Sequence, residues 1–278
     1  MYMYGLLVLI LSITIKTSLA FEVTYVNLEK LNTPQQNKVK NWVAHGINST
    51  FKTLGPLTQQ TLPVILKPRY FAFEPVPWAS VKRGIDDNIY DAIELHFHRY
   101  ASEKALIYDW SLYHELSHLY HPLFAYKDFW LSEGLATYLQ NIVMLENGII
   151  NHNEFKARLK AGLKRGQQQT NRIKGPLNQV ANNMWALGAQ QRVYWSGVAF
   201  FIHAQLELKK HTGKYKTIAD VIRQYQQCCK RSTHSAKQFL AQLDKLSKSA
   251  VFSTLYHQYS YRMDFPNIST KQLNQLLF

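Results

Sequence analysis

His114-Glu115-Leu116-Ser117-His118 sets two imidazoles four residues apart with a carboxylate beside the first. On a helix, positions i and i+4 share one face a single turn apart, so both rings can reach one metal ion. Glu115 then stands where it can hold and deprotonate a water at that metal. With 11 His in 278 residues, about 0.015 copies of this pattern are expected by chance. The motif alone also fits an amphipathic helix whose histidines are ordinary surface or core residues. A catalytic zinc needs a third protein ligand and one open position. Fourteen residues separate His118 from Glu133, which lies in Trp130-Leu131-Ser132-Glu133-Gly134-Leu135-Ala136-Thr137-Tyr138. That gap lets the chain leave one helix, turn at Pro122 and return antiparallel. A Glu in a first helical turn also serves as a plain partner of the helix dipole.

The elements that position these groups follow from periodicity. Phe21–Asn27 alternates apolar and polar residues and reads as a strand, as do Leu62–Leu66 and Ile89–His98. Thr33-Pro34 opens a helix that runs to about Leu54 with Gly55 behind it. From Ile107 the pattern is helical: one helix to His121, closed by Pro122, and another from Leu131, closed by Gly148. Further helices are expected over 152–164, 190–211, 217–229, 235–246 and 249–260. The expectation is an α+β fold with a small N-terminal β part, residues 21–106, and a mainly helical part, residues 107–278, packed as one unit.

HELSH followed by WLSEGLATY resembles the gluzincin metallopeptidases, specifically the aminopeptidase N and leukotriene A4 hydrolase group and the glycyl aminopeptidases. A third match is Tyr194-Trp195-Ser196-Gly197, a Tyr-x-x-Gly at the start of a long apolar helix. The resemblance covers roughly residues 107–225 and implies a thermolysin-like zincin catalytic domain holding one zinc ion. Carried over residue by residue, it makes His114, His118 and Glu133 the metal ligands and Glu115 the general base. Tyr194 becomes the donor to the developing oxyanion; by itself it reads as an ordinary buried aromatic. Two departures stand out. The spacing from His118 to Glu133 is shorter than in the aminopeptidase N group. The Gly-x-Met-Glu-Asn strand that grips a substrate amine there has no counterpart, the nearest region being Asp91–His98. Glu94 in that region reads as an amine anchor or as part of a solvated strand face. Thr137, one turn after Glu133, is a candidate partner for a ligand imidazole, and His121 reads as a support behind the ligands or as exposed.

Composition bounds the rest. Lys+Arg number 32 against 18 Asp+Glu, a formal charge of +14, and 46% of residues are hydrophobic, which excludes a disordered or collagen-like chain. Two cysteines exclude a disulfide scaffold and a four-cysteine zinc module. Cys228 and Cys229 are adjacent and are expected as free thiols or an intermolecular liability, not as a metal site. The basic cluster Lys156, Arg158, Lys160, Lys164 and Arg165 lacks interleaved aromatics, so it reads as a solvated helix face, with no nucleic-acid partner. Residues 1–20 resemble a signal peptide: the apolar run Gly5–Ile15 is too short to span a bilayer, and Ser18-Leu19-Ala20 suits cleavage, although no Lys or Arg precedes the run. The sequence thus points to a secreted or periplasmic zinc metallopeptidase acting on peptides or proteins, with electrostatic attraction to an anionic envelope or membrane surface. Two alternatives stay open: an exported envelope-binding protein with a structural zinc, and a zinc hydrolase of non-peptide amides or esters.

Overall fold

Leu62, Val64 and Leu66 are fully buried while the residues between them are partly exposed, the two-residue period of a strand with one face on a core. The computed structural model describes residues 21–84, 90–211, 215, 217–230 and 234–276; the leader expected over residues 1–20 lies outside them. The strand, β2 (Thr61–Arg69), pairs in parallel with β1 (Glu22–Val26). β3 (Trp78–Lys82) pairs antiparallel with β4 (Ala92–His98), which lies parallel to β2, so the order is β1-β2-β4-β3. The region nearest in sequence character to the amine-gripping strand, residues 91–98, thus supplies an inner strand. The unexpected β3, whose five residues are exposed or only partly buried, takes the edge.

The β1-to-β2 crossover is α1 (Thr33–Leu54). Its cap is Asn32, in a reciprocal box with Gln35, and Pro34 sits in its first turn. Its apolar stripe includes Trp42, which meets Phe97 of β4 edge-on. The single helix expected from Ile107 to His121 is instead two, α2 (Glu103–Tyr108) and α3 (Ser111–His118). Asp109 breaks it: its backbone is extended and its Oδ1 accepts the Ser111 N–H at 2.8 Å, capping an amide that a first turn leaves open.

α4 (Phe129–Glu146) is buried on all sides from Trp130 to Met144, the pattern of a central helix. Around and beyond it lie α5 (His152–Arg172), α6 (Leu177–Asn182), α7 (Met184–Leu187) and α8 (Gln190–Lys210). α9 (Ile218–Cys228), α10 (Ala236–Ser247), α11 (Val251–Ser260) and α12 (Thr270–Leu276) follow. The closest crossing joins α4 and α8. A Cβ on Gly134 would lie 2.3 Å from the Gly197 Cα, and one on Gly197 would lie 1.9 Å from the Trp130 carbonyl oxygen. One apolar core runs from Leu31 to Leu276. Cys228 and Cys229 are joined in a disulfide, against the expectation of free thiols. The reason is local: Cys229 leaves the helical conformation (φ −141°, ψ −4°) as α9 ends, which frees the two side chains to meet. No helix among the described residues is long and apolar enough to cross a membrane.

Candidate metal centre

α3 presents His114 and His118 on one face, and α4 returns to bring Glu133 opposite them. All three are buried. The His114 and His118 Nε2 atoms lie 3.1 Å apart. The Glu133 Oε2 lies 3.2 Å from the first and 3.6 Å from the second. Ligands at zinc–nitrogen and zinc–oxygen distances near 2.05 Å around a tetrahedral ion are separated by about 3.3 Å, so the donor set and its spacing fit zinc.

The surrounding hydrogen bonds leave the right lone pairs free. His114 Nδ1 donates to Gln140 Oε1 at 2.8 Å, which turns its Nε2 toward the centre. His118 Nδ1 lies 3.0 Å from His121 Nε2, and His121 Nδ1 lies 2.7 Å from the Pro122 carbonyl oxygen. A carbonyl only accepts, so His121 carries its proton on Nδ1 and accepts from His118 through Nε2. His121 is fully buried, and desolvation together with the charges of His118 and Arg83 holds its pKa well below the usual imidazole value, keeping it neutral for this role. Two chained imidazoles ending on a backbone carbonyl thus set the tautomer of His118. Of the two readings of His121, support behind the ligands holds and exposure does not. The partner of His114 is Gln140 and not the expected Thr137.

Burial pushes the Glu133 carboxyl up, but the charges and hydrogen bonds of His118 and His114 outweigh it and hold the group well below the usual range. Glu115 is shifted the other way. Desolvation raises its pKa against the pull of His114 and His118, while the Val81 backbone N–H of β3 hydrogen-bonds it. Tyr194, at the start of α8, stacks on His114 at 6.1 Å, and its hydroxyl is hydrogen-bonded to Glu133. Burial, then Glu133, raises that phenol well above 10, so it stays a proton donor. These groups line a cleft of about 200 Å³ walled by Trp78, Ser80, Phe129 and Trp185.

Glu94 is absent from this cleft. Its Oε1 pairs with His96 Nε2 at 2.8 Å, and both line a separate pocket with Lys67 and Arg69, in accord with the strand-face reading and not with an amine anchor. Reading the residues missed Gln140 and Arg83. Gln140 lies two turns beyond Glu133, a spacing that marks a shared helix face. Arg83 donates to the His118 carbonyl oxygen at 2.6 Å and to Asp91 Oδ2 at 3.0 Å, and no local pattern announces it.

A family model described as M61 glycyl aminopeptidase matches residues 120–206, a stretch that holds Glu133 and Tyr194 and begins just after His118. The curated proteins give no match. Among solved structures, native yeast LTA4 hydrolase is similar at a TM-score of 0.60 and 16% identity, over 90% of this chain and 39% of that one. An M1 zinc metallopeptidase from Deinococcus radiodurans is similar at 0.51 and 15%, over 88% and 48%. A variant of an M1 zinc metallopeptidase from the same organism, bound to a Tyr-Ser-Ala substrate, is similar at 0.52 and 12%, over 87% and 48%. The chain spans about half the length of these structures or less. It has the α+β fold of these structures' peptidase domains, and its His-His-Glu triad fits the gluzincin pattern that HELSH and WLSEGLATY resemble.

Proposed function

We propose that the chain is a zinc-dependent metallopeptidase in which His114, His118 and Glu133 hold one zinc ion. The carrying observation is that three ligand atoms converge beside a second buried carboxylate, Glu115, and a phenol, Tyr194, in one cleft. A structural zinc needs four protein ligands and neither of those extra groups. The alternative fourth donors are engaged: His121 Nε2 meets His118, and both cysteines are oxidised to a disulfide. Zinc held there would polarise the scissile carbonyl and acidify a water. Glu115 would accept a proton from the attacking water and return it to the leaving amine as the C–N bond breaks, and its burial-raised pKa suits a group that both accepts and releases a proton. The Tyr194 hydroxyl donates to the carbonyl oxygen as charge builds on it. The free edge of β3, lining the cleft, offers backbone groups to an extended peptide. Export is part of the proposal, supported by the apolar run 5–15 and the small residues Ser18 and Ala20, with the +14 charge favouring an anionic surface.

The test is zinc content measured together with cleavage of a peptide library resolved by mass. The wild type should bind about one zinc per chain, and His118→Ala should lose it. Glu115→Gln should keep zinc and lose most turnover. A folded protein that takes up no zinc, or a Glu115→Gln variant that cleaves at the wild-type rate, would defeat the reading.

A further inference from the structure

The basic run on α5 is not uniformly turned to solvent. Gly162 and Gly166 lie so close to Trp195 of α8 that a Cβ on either would meet it at 1.9 and 2.6 Å. That contact sets the roll of α5 and turns Arg158, Ala161 and Arg165, at i, i+3 and i+7, onto one cavity. The cavity is about 500 Å³, and Tyr108, Trp110, Asn141, Gln191, Tyr194 and Trp195 form much of its wall. It adjoins the metal centre: Tyr194 lines both spaces, Trp110 stands edge-on to His114 at 5.5 Å, and Gln140, also in the wall, holds His114.

Its polar groups are set for a ligand. The Arg158 guanidinium lies 4.9 Å over the Tyr108 ring and that of Arg165 lies 5.4 Å over the Trp195 ring. Arg165 Nε also donates to Gln191 Oε1 at 2.8 Å, and Arg158 makes one long contact, 3.5 Å, to the Met144 sulfur. Among the described residues neither guanidinium has a carboxylate within 4.0 Å. The carboxylate in the wall, Asp109, is already hydrogen-bonded by the backbone N–H groups of Ser111 and Val76. Asn141 is buried, its Nδ2 donates to the Thr137 carbonyl oxygen, and its Oδ1 has no donor within reach. A buried acceptor without a donor is costly, which marks it as awaiting an N–H.

We infer that this cavity is the subsite for a carboxylate-bearing residue next to the scissile bond. Arg158 and Arg165 bind the carboxylate, and Asn141 Oδ1 accepts a substrate amide N–H. The inference rests on the metallopeptidase reading. The carboxylate is either an Asp or Glu side chain or a free C-terminus, so two peptide sets are needed. One pairs Asp with Asn and Glu with Gln at each position flanking the cleaved bond, with amidated C-termini. The other keeps neutral side chains and compares a free with an amidated C-terminus. With zinc-loaded full-length protein, at least one set should favour the carboxylate by about tenfold in kcat/KM, mainly through KM. The set that responds identifies the source. Arg165→Glu and Arg158→Ala should shrink the preference to twofold or less, and Arg165→Lys should retain part of it. Equal rates for carboxylate and amide peptides, or a preference that survives both substitutions, overturn the subsite and leave the peptidase reading standing. If zinc-loaded protein cleaves none of the peptides, both fall.

Discussion

Tyr194 touches two of the three proposed ligands, because its ring stacks on His114 and its hydroxyl meets Glu133. Its raised pKa makes it a donor throughout the neutral range, and a preorganised donor of this kind is worth ~3–4 kcal/mol in a transition state. Tyr194→Phe is expected to lower kcat by roughly two to three orders of magnitude with zinc content unchanged, read from steady-state kinetics and metal analysis. Loss of zinc in that variant would mean that the hydroxyl acts by holding Glu133 and not as the donor to the oxyanion. The two histidines of the proposed ligand set were legible from spacing, because a helix forces residues four apart onto one face, and Glu133 from the resemblance of its segment. The tautomer supports were less so. His121 follows His118 closely enough to attract notice, but its burial and its bond to Pro122 depend on how the chain turns after α3.

Ligand and donor come together because α4 and α8 approach to backbone contact. Gly197 lies against the Trp130 carbonyl, and Gly134 faces Gly197, so each helix lacks a side chain where the other crosses. Trp130 anchors the start of α4, stacked near Tyr256 at 6.0 Å and Tyr259 at 6.1 Å and edge-on to Phe200 at 5.4 Å. Gly197→Ala would force the helices apart, because the added methyl meets backbone that cannot rotate away. Its cost should reach or exceed the ~1–3 kcal/mol of an overpacked core, seen as a lower urea midpoint, and Tyr194 should be displaced with loss of turnover. A variant as stable as wild type would show that the crossing relaxes freely. The Tyr-x-x-Gly spacing was visible in the chain, but nothing in α8 by itself says that its glycine faces Gly134.

Longer-range ties hold the sheet to the helices at the metal. Arg83, just after β3, links Asp91 to the His118 carbonyl, and Lys230 approaches the same Asp91 at 3.9 Å from the end of α9. Burial lowers the Lys230 pKa from 10.5 to about 8, with Asp91 opposing and Arg83 adding to the shift. Between those values the unfolded chain binds a proton that the folded chain has released, so this group's contribution to stability rises with pH across that window. Wild type should therefore gain on Lys230→Met by up to about 3 kcal/mol from pH 8 to 10.5, measured by urea midpoints. A difference that stays flat with pH would mean Lys230 keeps its proton beside Asp91. A zinc held by His114, His118 and Glu133 would tie the same region through α3 and α4. A chelator should lower Tm by about 10 °C, the effect of losing ~4 kcal/mol of linked binding, and should leave Glu133→Ala unmoved.

Local information carried much of this. Helical periodicity and caps delimit α1, α8, α9, α10 and α11 nearly to the residue, since their signals lie within a few residues of each boundary. Spacing marks His114 and His118 as a donor pair, and the resemblance of WLSEGLATY to the gluzincin segment adds Glu133. Tertiary structure decided what depends on partners distant in the chain. β3 has no strong alternation, and only pairing with β4 makes it the cleft edge. The break at Asp109 comes from a side chain capping the backbone of the next helix, which overrides the continuous helical pattern. Arg158 and Arg165 line a cavity because Gly162 and Gly166 roll α5 onto Trp195, about thirty residues onward, a contact that no local window contains.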